Sequence, residues 1–199
     1  DLVVSYLGSE PSLLLSSIQT VGGDLIVNGN ASLTELSLPA LSSIGGELKV
    51  QYNVSLTSFS FPMLSSIDGD HLEVNFNEAL TSFDLSGLSV LSAHLWINNN
   101  ASLQSFDLSS LTQVAGYLWV QHNKVLTTFE FPELTWVGAN VWISNNAALS
   151  GFSLESLSSV MGYMELESNP SLVSFDLPEL ADIGGYLQVK DHEVLTDFA

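Results

Sequence analysis

Three tryptophans recur at a fixed interval, Trp96, Trp119 and Trp142, and three carboxylates do the same at Asp84, Asp107 and Glu130. Indoles beside Tyr117, Tyr163 and Tyr186 offer an apolar surface with polar edges, which suits a protein partner or a sugar ring. Carboxylates in a row repel one another unless water or a cation screens them. Calcium takes oxygen-only ligands, so Asp84, Asp107 and Glu130 form a weak calcium candidate. A solvated acidic strip is the favoured reading, because no calcium-loop signature accompanies them. His71 and His94 share a column and could pair on a metal, yet the four histidines form no zinc-ligand motif. No nucleophile elbow, phosphate loop or dinucleotide fingerprint is present. The sequence therefore predicts no catalytic residue, no resident metal and no cofactor.

Composition narrows the partners. The 199 residues carry 22 acids against three cations, for a net charge of −19, yet 46% are hydrophobic. That apolar content excludes an acidic disordered tail. Lys49, Lys124 and Lys190 are the whole supply of side-chain cations, too few to neutralise a nucleic-acid backbone or to hold an anionic membrane surface. No apolar run is long enough to span a bilayer, so direct membrane insertion is not expected. With no cysteine there is neither a disulfide framework nor a thiolate metal site.

The fixed interval extends over most of the chain. Leu25, Leu48, Leu72, Leu95, Leu118, Val141, Met164 and Leu187 recur every 23 residues, with one 24-residue step around Asp68–Asp70. Two residues after each comes a second apolar column, Val27 through Val189, and alternate residues of a strand face one side. An asparagine column follows (Asn30, Asn53, Asn77, Asn100, Asn123, Asn146, Asn169, then His192), then a leucine column and an aromatic one from Phe59 to Phe198. Two further inward columns run from Leu41 to Leu180 and from Ile44 to Ile183. A unit of this size cannot bury its own apolar side, but stacked units make one continuous core. Parallel strands ~4.8 Å apart would then carry ladders of like side chains. The prediction is an all-β, right-handed parallel solenoid of about eight coils with little helix. Trp96, Trp119 and Trp142 fall between the inward positions of the first strand, as an exposed ladder on its outer face.

Asn30, Asn53 and Asn100 each begin an Asn-x-Ser acceptor sequence for N-glycosylation. All three occupy the asparagine column, where an inward amide serves turns and would be out of reach of a transferase.

The spacing Leu-x-x-x-Leu-x-Val-x-x-Asn-x-x-Leu-x-x-Phe, as in Ile44–Phe59, resembles a leucine-rich repeat of the receptor L-domain kind. Phrases such as GYLQV, NPSLVSFDLPEL and ADIGG are similar to fungal wall-anchored proteins with L-domain repeats. The resemblance covers roughly residues 18–198. It implies an extracellular or cell-surface protein, acting as a ligand-binding ectodomain or a wall component. Receptor signalling is not implied, since the cysteine-rich modules are missing.

Residues 1–24 fit the repeat poorly and are expected to form an N-terminal cap or degenerate half-coil before a single solenoid domain over 25–199. The sequence given stops at Phe198–Ala199 in mid-repeat. Either the repeat continues in a longer protein, or an open end docks on the start of the next molecule and builds a head-to-tail filament. The expected function is that of a non-enzymatic structural or adhesive surface protein whose partner is a protein, itself included. The alternative is a carbohydrate-binding or ligand-binding ectodomain using the same Trp/Tyr face.

Overall fold

The computed structural model describes residues 1–198; Ala199, the last residue of the expected open end, and the side chain of Phe198 lie outside the described residues. The chain is a parallel β-solenoid of about eight turns of roughly 23 residues, with no helix among the described residues. Each turn contributes three short strands, so the molecule has three sides. The broad side is one nine-stranded sheet, from Leu2–Ser5 through His94–Asn98 to Leu187–Lys190. A second side carries three-residue strands such as Ser58–Ser60 and Ser105–Asp107. A third is an eight-stranded sheet of two-residue strands, from Thr20–Val21 to Asp182–Ile183. Every pairing is parallel and in register with the repeat; Leu72 lies beside Leu95 and Trp96 beside Trp119. Residues 1–24 supply a strand to each of the three sides, and Leu2 pairs with Leu25.

The predicted inward columns are the core. Leu25, Val27, Leu41 and Ile44 and their equivalents in the interior turns are fully or almost fully buried. One inward column escaped the sequence reading: Leu38, Phe61, Leu85, Leu108, Phe131, Leu154 and Leu177 are buried as well. The phenylalanines stack face to face, with ring centroids 5.0 Å apart for Phe59–Phe83 and 5.3 Å for both Phe129–Phe152 and Phe152–Phe175. Such pairs contribute about 0.5–1.5 kcal/mol each beyond burial. At the corner leading back to the broad sheet, successive turns touch backbone to backbone. A Cβ on Gly69 would lie 2.4 Å from the carbonyl carbon of Gly46, so only glycine fits there.

Between the broad sheet and the second side, the chain turns through a residue with positive φ in every repeat, among them Tyr52, Phe76, Asn99 and His122. That kink delivers the following asparagine inward. Asn100 shows the pattern: its Nδ2 donates to the Val74 carbonyl at 2.7 Å, its N–H donates to Asn123 Oδ1 at 3.2 Å, and its Oδ1 accepts from the Asn77 N–H at 3.1 Å. The bonds repeat from Asn30 to Asn169. His192 ends the column, with its ring nitrogens 3.1 Å from the carbonyl oxygens of Asn169 and Leu166. Asn30, Asn53 and Asn100 have no exposed surface at all, so a glycan cannot be seated on any of them in the folded chain.

The second side is not one sheet but two. Strands up to Ser105–Asp107 form a five-stranded sheet, strands from Thr128–Glu130 onward a four-stranded one, and the two are not paired. Among the described residues, Leu108 N–H and Thr127 N–H make no cross-turn backbone bond, although Leu85 N–H reaches Asp107 O (2.9 Å) and Ser150 N–H reaches Thr127 O (2.8 Å). The broad sheet and the third side run through this level unbroken. Side-chain size accounts for the parting. Phe131 packs on Phe106 of the preceding turn (5.7 Å, tilted 47°), whereas Phe61, at the same place in its repeat, follows the smaller Leu36. Two phenylalanines at that contact hold the turns apart, and Phe106 is only partly buried where its column mates are buried.

Two outcomes follow from this packing. Asn100→Ala strands the Val74 carbonyl and the Asn77 N–H in the core and should cost about 3 kcal/mol or more in urea unfolding, given ~1–3 kcal/mol per stranded group. Ser102→Ala, which removes the same acceptor sequence but leaves the amide, should change stability by less than about 0.5 kcal/mol. Phe106→Leu should let the parted strands pair, slowing amide exchange at Leu108 and Thr127; unchanged exchange there would show that the Phe106–Phe131 contact is not the wedge.

Candidate functional site

The outer face of the broad sheet carries three residues per strand. Its centre is aromatic and uncharged. Trp96 and Trp119 lie 5.1 Å apart at 11°, His94 stacks on Tyr117 (4.6 Å) and on Trp96 (5.8 Å), and Trp142 meets Trp119 edge-on at 5.9 Å. Tyr163 and Tyr186 form a separate stacked pair (5.1 Å). The structure thus brings Trp96, Trp119, Trp142 and Tyr117 together, with Tyr163 and Tyr186 at the C-terminal flank.

The indoles lie on the outer face as expected from their spacing, but Trp96 and Trp119 are stacked across turns. Two indoles lying flat and side by side could not bring their centres within 5.1 Å. Trp96 and Trp119 stand on edge instead, each covering the facing side of the other, Trp142 lies perpendicular to Trp119, and all three are only partly exposed. Each Nε1 is buried and has no hydrogen-bond partner. So do Asn98 Oδ1 and Gln121 Nε2, an acceptor and a donor at paired positions on neighbouring strands. Unpaired buried polar groups cost free energy, and five of them gather on one face.

Carboxylates bound this patch at both ends. On the N-terminal side Glu73 is 9% exposed, and Glu47 pairs with Lys49 and stands 3.5 Å from His71 Nδ1. The bond to Glu47 raises the Lys49 pKa, partial burial opposes it, and Glu73 adds to the rise. On the C-terminal side Glu167 pairs with Lys190 (3.1 Å), while Glu165 accepts a 2.5 Å bond from the Tyr186 hydroxyl and pushes that phenol up to about 12.

His71 and His94 are neighbours, with ring centroids 5.2 Å apart, but His94 is already engaged. Its Nδ1 accepts the backbone N–H of Tyr117 at 2.9 Å. Asp24 does the same for Glu47 (3.0 Å) and Asn140 for Tyr163 (3.1 Å), so this position is an acceptor column filled by three residue types. The sequence hid it, since Asp, His and Asn share no hydropathy signal and only their common acceptor role unites them. Among the described residues, no group of three or more His, Cys, Asp or Glu is placed to hold a metal ion.

The acidic strip lies on the second side, away from the aromatic patch. Burial disfavours the charge on Asp84, but bonds from the Ser86 N–H (3.0 Å) and the Ser60 hydroxyl (2.9 Å) outweigh it and hold the carboxyl below its usual range. Asp107 accepts from the Ser109 N–H at 3.0 Å. Glu130 stands across the parted strands from Asp107, and the two line a groove of about 260 Å³ with Phe106 and Phe129. Asp84 and Asp107 spend oxygens on their own turns.

No family model matches the chain, and no curated protein or solved structure matches it either. The solenoid and its faces are therefore the ground for any functional reading.

His94 makes the patch acid-sensitive. Burial lowers its pKa first, the neighbouring His71 adds to this, and Asp70 opposes both; Trp96 and Tyr117 complete its surroundings. Its neutral form is the one that accepts from Tyr117. A depressed histidine pKa means its stabilisation is complete above the unfolded value of about 6.5 and is lost as pH falls below it. His94→Asn keeps an acceptor, as Asn140 does. Thermal melts from pH 8 to 5 should therefore show a smaller loss for the variant than for wild type; parallel curves would count against this role.

Proposed function

We propose that this chain is a non-enzymatic extracellular solenoid of the leucine-rich-repeat L-domain kind, which adheres to a protein partner through the aromatic centre of its broad sheet. The observation that carries the reading is the Trp96–Trp119–Trp142 ladder with its unpaired donors and acceptors. Tryptophan and tyrosine are the favoured anchors of protein contacts, and a partner lets Asn98 and Gln121 turn outward to groups they lack in the free protein. The extracellular assignment and the L-domain kinship rest on the resemblance of the repeat itself.

The arrangement also constrains the partner. Stacking of a sugar ring needs a free indole face, and the Trp96–Trp119 stack covers the facing sides of both rings. A second copy docked on this face in either direction would set the Glu47/Glu73 end or the Glu165/Glu167 end against like charge. A protein surface with an apolar centre and a basic rim fits better.

The test is adhesion of beads coated with wild-type, Trp119→Ala or Trp96→Ala/Trp142→Ala protein to cell surfaces and isolated surface proteins. Partner affinity should fall at least ~10-fold in the variants and weaken with added salt. The fold should lose only about 2 kcal/mol, because each indole is partly exposed. Equal adhesion by all variants, or retention of the native full-length protein inside the cell, would overturn the proposal.

A further inference from the structure

A second site lies at the corner where the chain turns through positive φ. There a groove of about 640 Å³ runs along the solenoid axis, lined on one wall by Tyr52, Phe76, Asn99 and His122 and on the other by residues that include Glu78 and Lys124. It spans four turns, or about 14 Å at ~4.8 Å per turn. Strain on an exposed aromatic recurs at Tyr6, with φ of 50°, but the combination of two features sets the groove apart.

The first is strain. Tyr52 and Phe76 hold φ of 56° and 55°, a region that glycine and asparagine tolerate and bulky side chains avoid. Gly29, Asn99 and Asn145 fill the same column at lower cost. The two rings nonetheless stack on each other at 5.0 Å and 2°, and they stay 52% and 42% exposed. Aromatics retained on strained backbone, in water, contribute little to the core, and such outliers point to function. The stack runs along the column, so the free face of Phe76 looks toward the small side chain of Asn99.

The second is charge. Lys49 and Lys190 are each spent on a glutamate, while Lys124 has no carboxylate partner among the described residues. In a chain of net charge −19, its one unspent lysine stands in this groove beside His122. The overall field repels a polyanion, so complementarity here is to a single negative group on an otherwise neutral ligand.

We propose that this corner groove binds a short oligosaccharide bearing one carboxylate, with a sugar ring against Phe76, hydroxyls on Asn99 and Glu78, and the carboxylate on Lys124. The ring has a free aromatic face, whereas Trp96 is stacked on by both Trp119 and His94. Glu78 accepts and Asn99 both donates and accepts, the mixture that hydroxyls need. The corner has no open strand edge, so an extended peptide finds no backbone ladder to join. This site is independent of the broad-sheet contact.

Calorimetric titration with xylotetraose bearing one glucuronate, and with neutral xylotetraose, tests the assignment. The acidic probe should bind saturably and at least ~10-fold more tightly than the neutral one, and Lys124→Gln should erase that difference. Tyr52→Asn/Phe76→Asn should lose binding while its melting temperature stays level or rises, because asparagine relieves the backbone. Trp119→Ala should bind the probe as wild type does, which keeps this result separate from the adhesion reading. Equal binding of both probes, binding indifferent to Lys124 or to Phe76, or no binding to either sugar would overturn the proposal. So would binding of an acidic peptide in their place with the same sensitivity to Lys124→Gln.

Discussion

The asparagine ladder is the interaction on which the rest of the molecule depends. A three-sided turn leaves backbone groups pointing inward at its corner, and a buried amide that both donates and accepts is what satisfies them. Asn77, for example, donates to the Val50 carbonyl at 2.8 Å and hands its N–H to Asn100. To bring each asparagine inside, the residue before it takes positive φ. Once those two positions are set, the strand on either side has one register open to it, because a slip would pull the amide from its partners. The apolar columns, the phenylalanine stack and the outer ladders inherit their alignment from that corner. The ladder also disposes of the glycan acceptors: Asn30, Asn53 and Asn100 have their amides committed to neighbouring turns.

Strict register makes like residues stack, and stacking changes what a surface residue is. The tryptophans of the broad sheet sit on its outer face, yet Trp96 and Trp119 stand on edge because the strand spacing is close to the stacking distance of aromatic rings. Ladder order covers the facing sides of Trp96 and Trp119 and leaves all three indole N–H groups without acceptors. The same order brings Phe106 and Phe131 together on the other side, where the fit is poor and the strands part. The parting is local because the flanking corner bonds, Asn100 N–H to Asn123 Oδ1 (3.2 Å) and Thr135 N–H to Thr112 O (2.8 Å), hold across it.

Most of the fold is legible in the sequence, since every core column is a hydropathy signal repeated at one period. Leu38, Phe61 and their equivalents went unread because they follow the aromatic column by two residues, just past the end of a strand too short to display alternation. The site was legible in part. Trp96, Trp119 and Trp142 share a face as their spacing implies, but ring orientation depends on neighbours and not on spacing. The acceptor role of Asp24, His94 and Asn140 was hidden by their unlike side chains. The aromatic pair at Tyr52 and Phe76 belongs to a column whose only common property is a backbone angle. A dihedral constraint leaves a trace in composition where glycine or asparagine fills it, and here Tyr, Phe and His interrupt that trace.

The ladder has one more property, which is direction. From Asn30 to Asn146 each backbone N–H and one side-chain N–H reach the amide oxygen of the turn after, while the other side-chain N–H reaches a carbonyl of the turn before. Removing one asparagine is therefore felt on one side more than on the other. With Asn100 lost, the Asn77 N–H and the Val74 carbonyl of the turn before are both stranded, whereas the Asn123 oxygen of the turn after still accepts the backbone N–H of residue 100. Damage to the corner spreads toward the N-terminal turns.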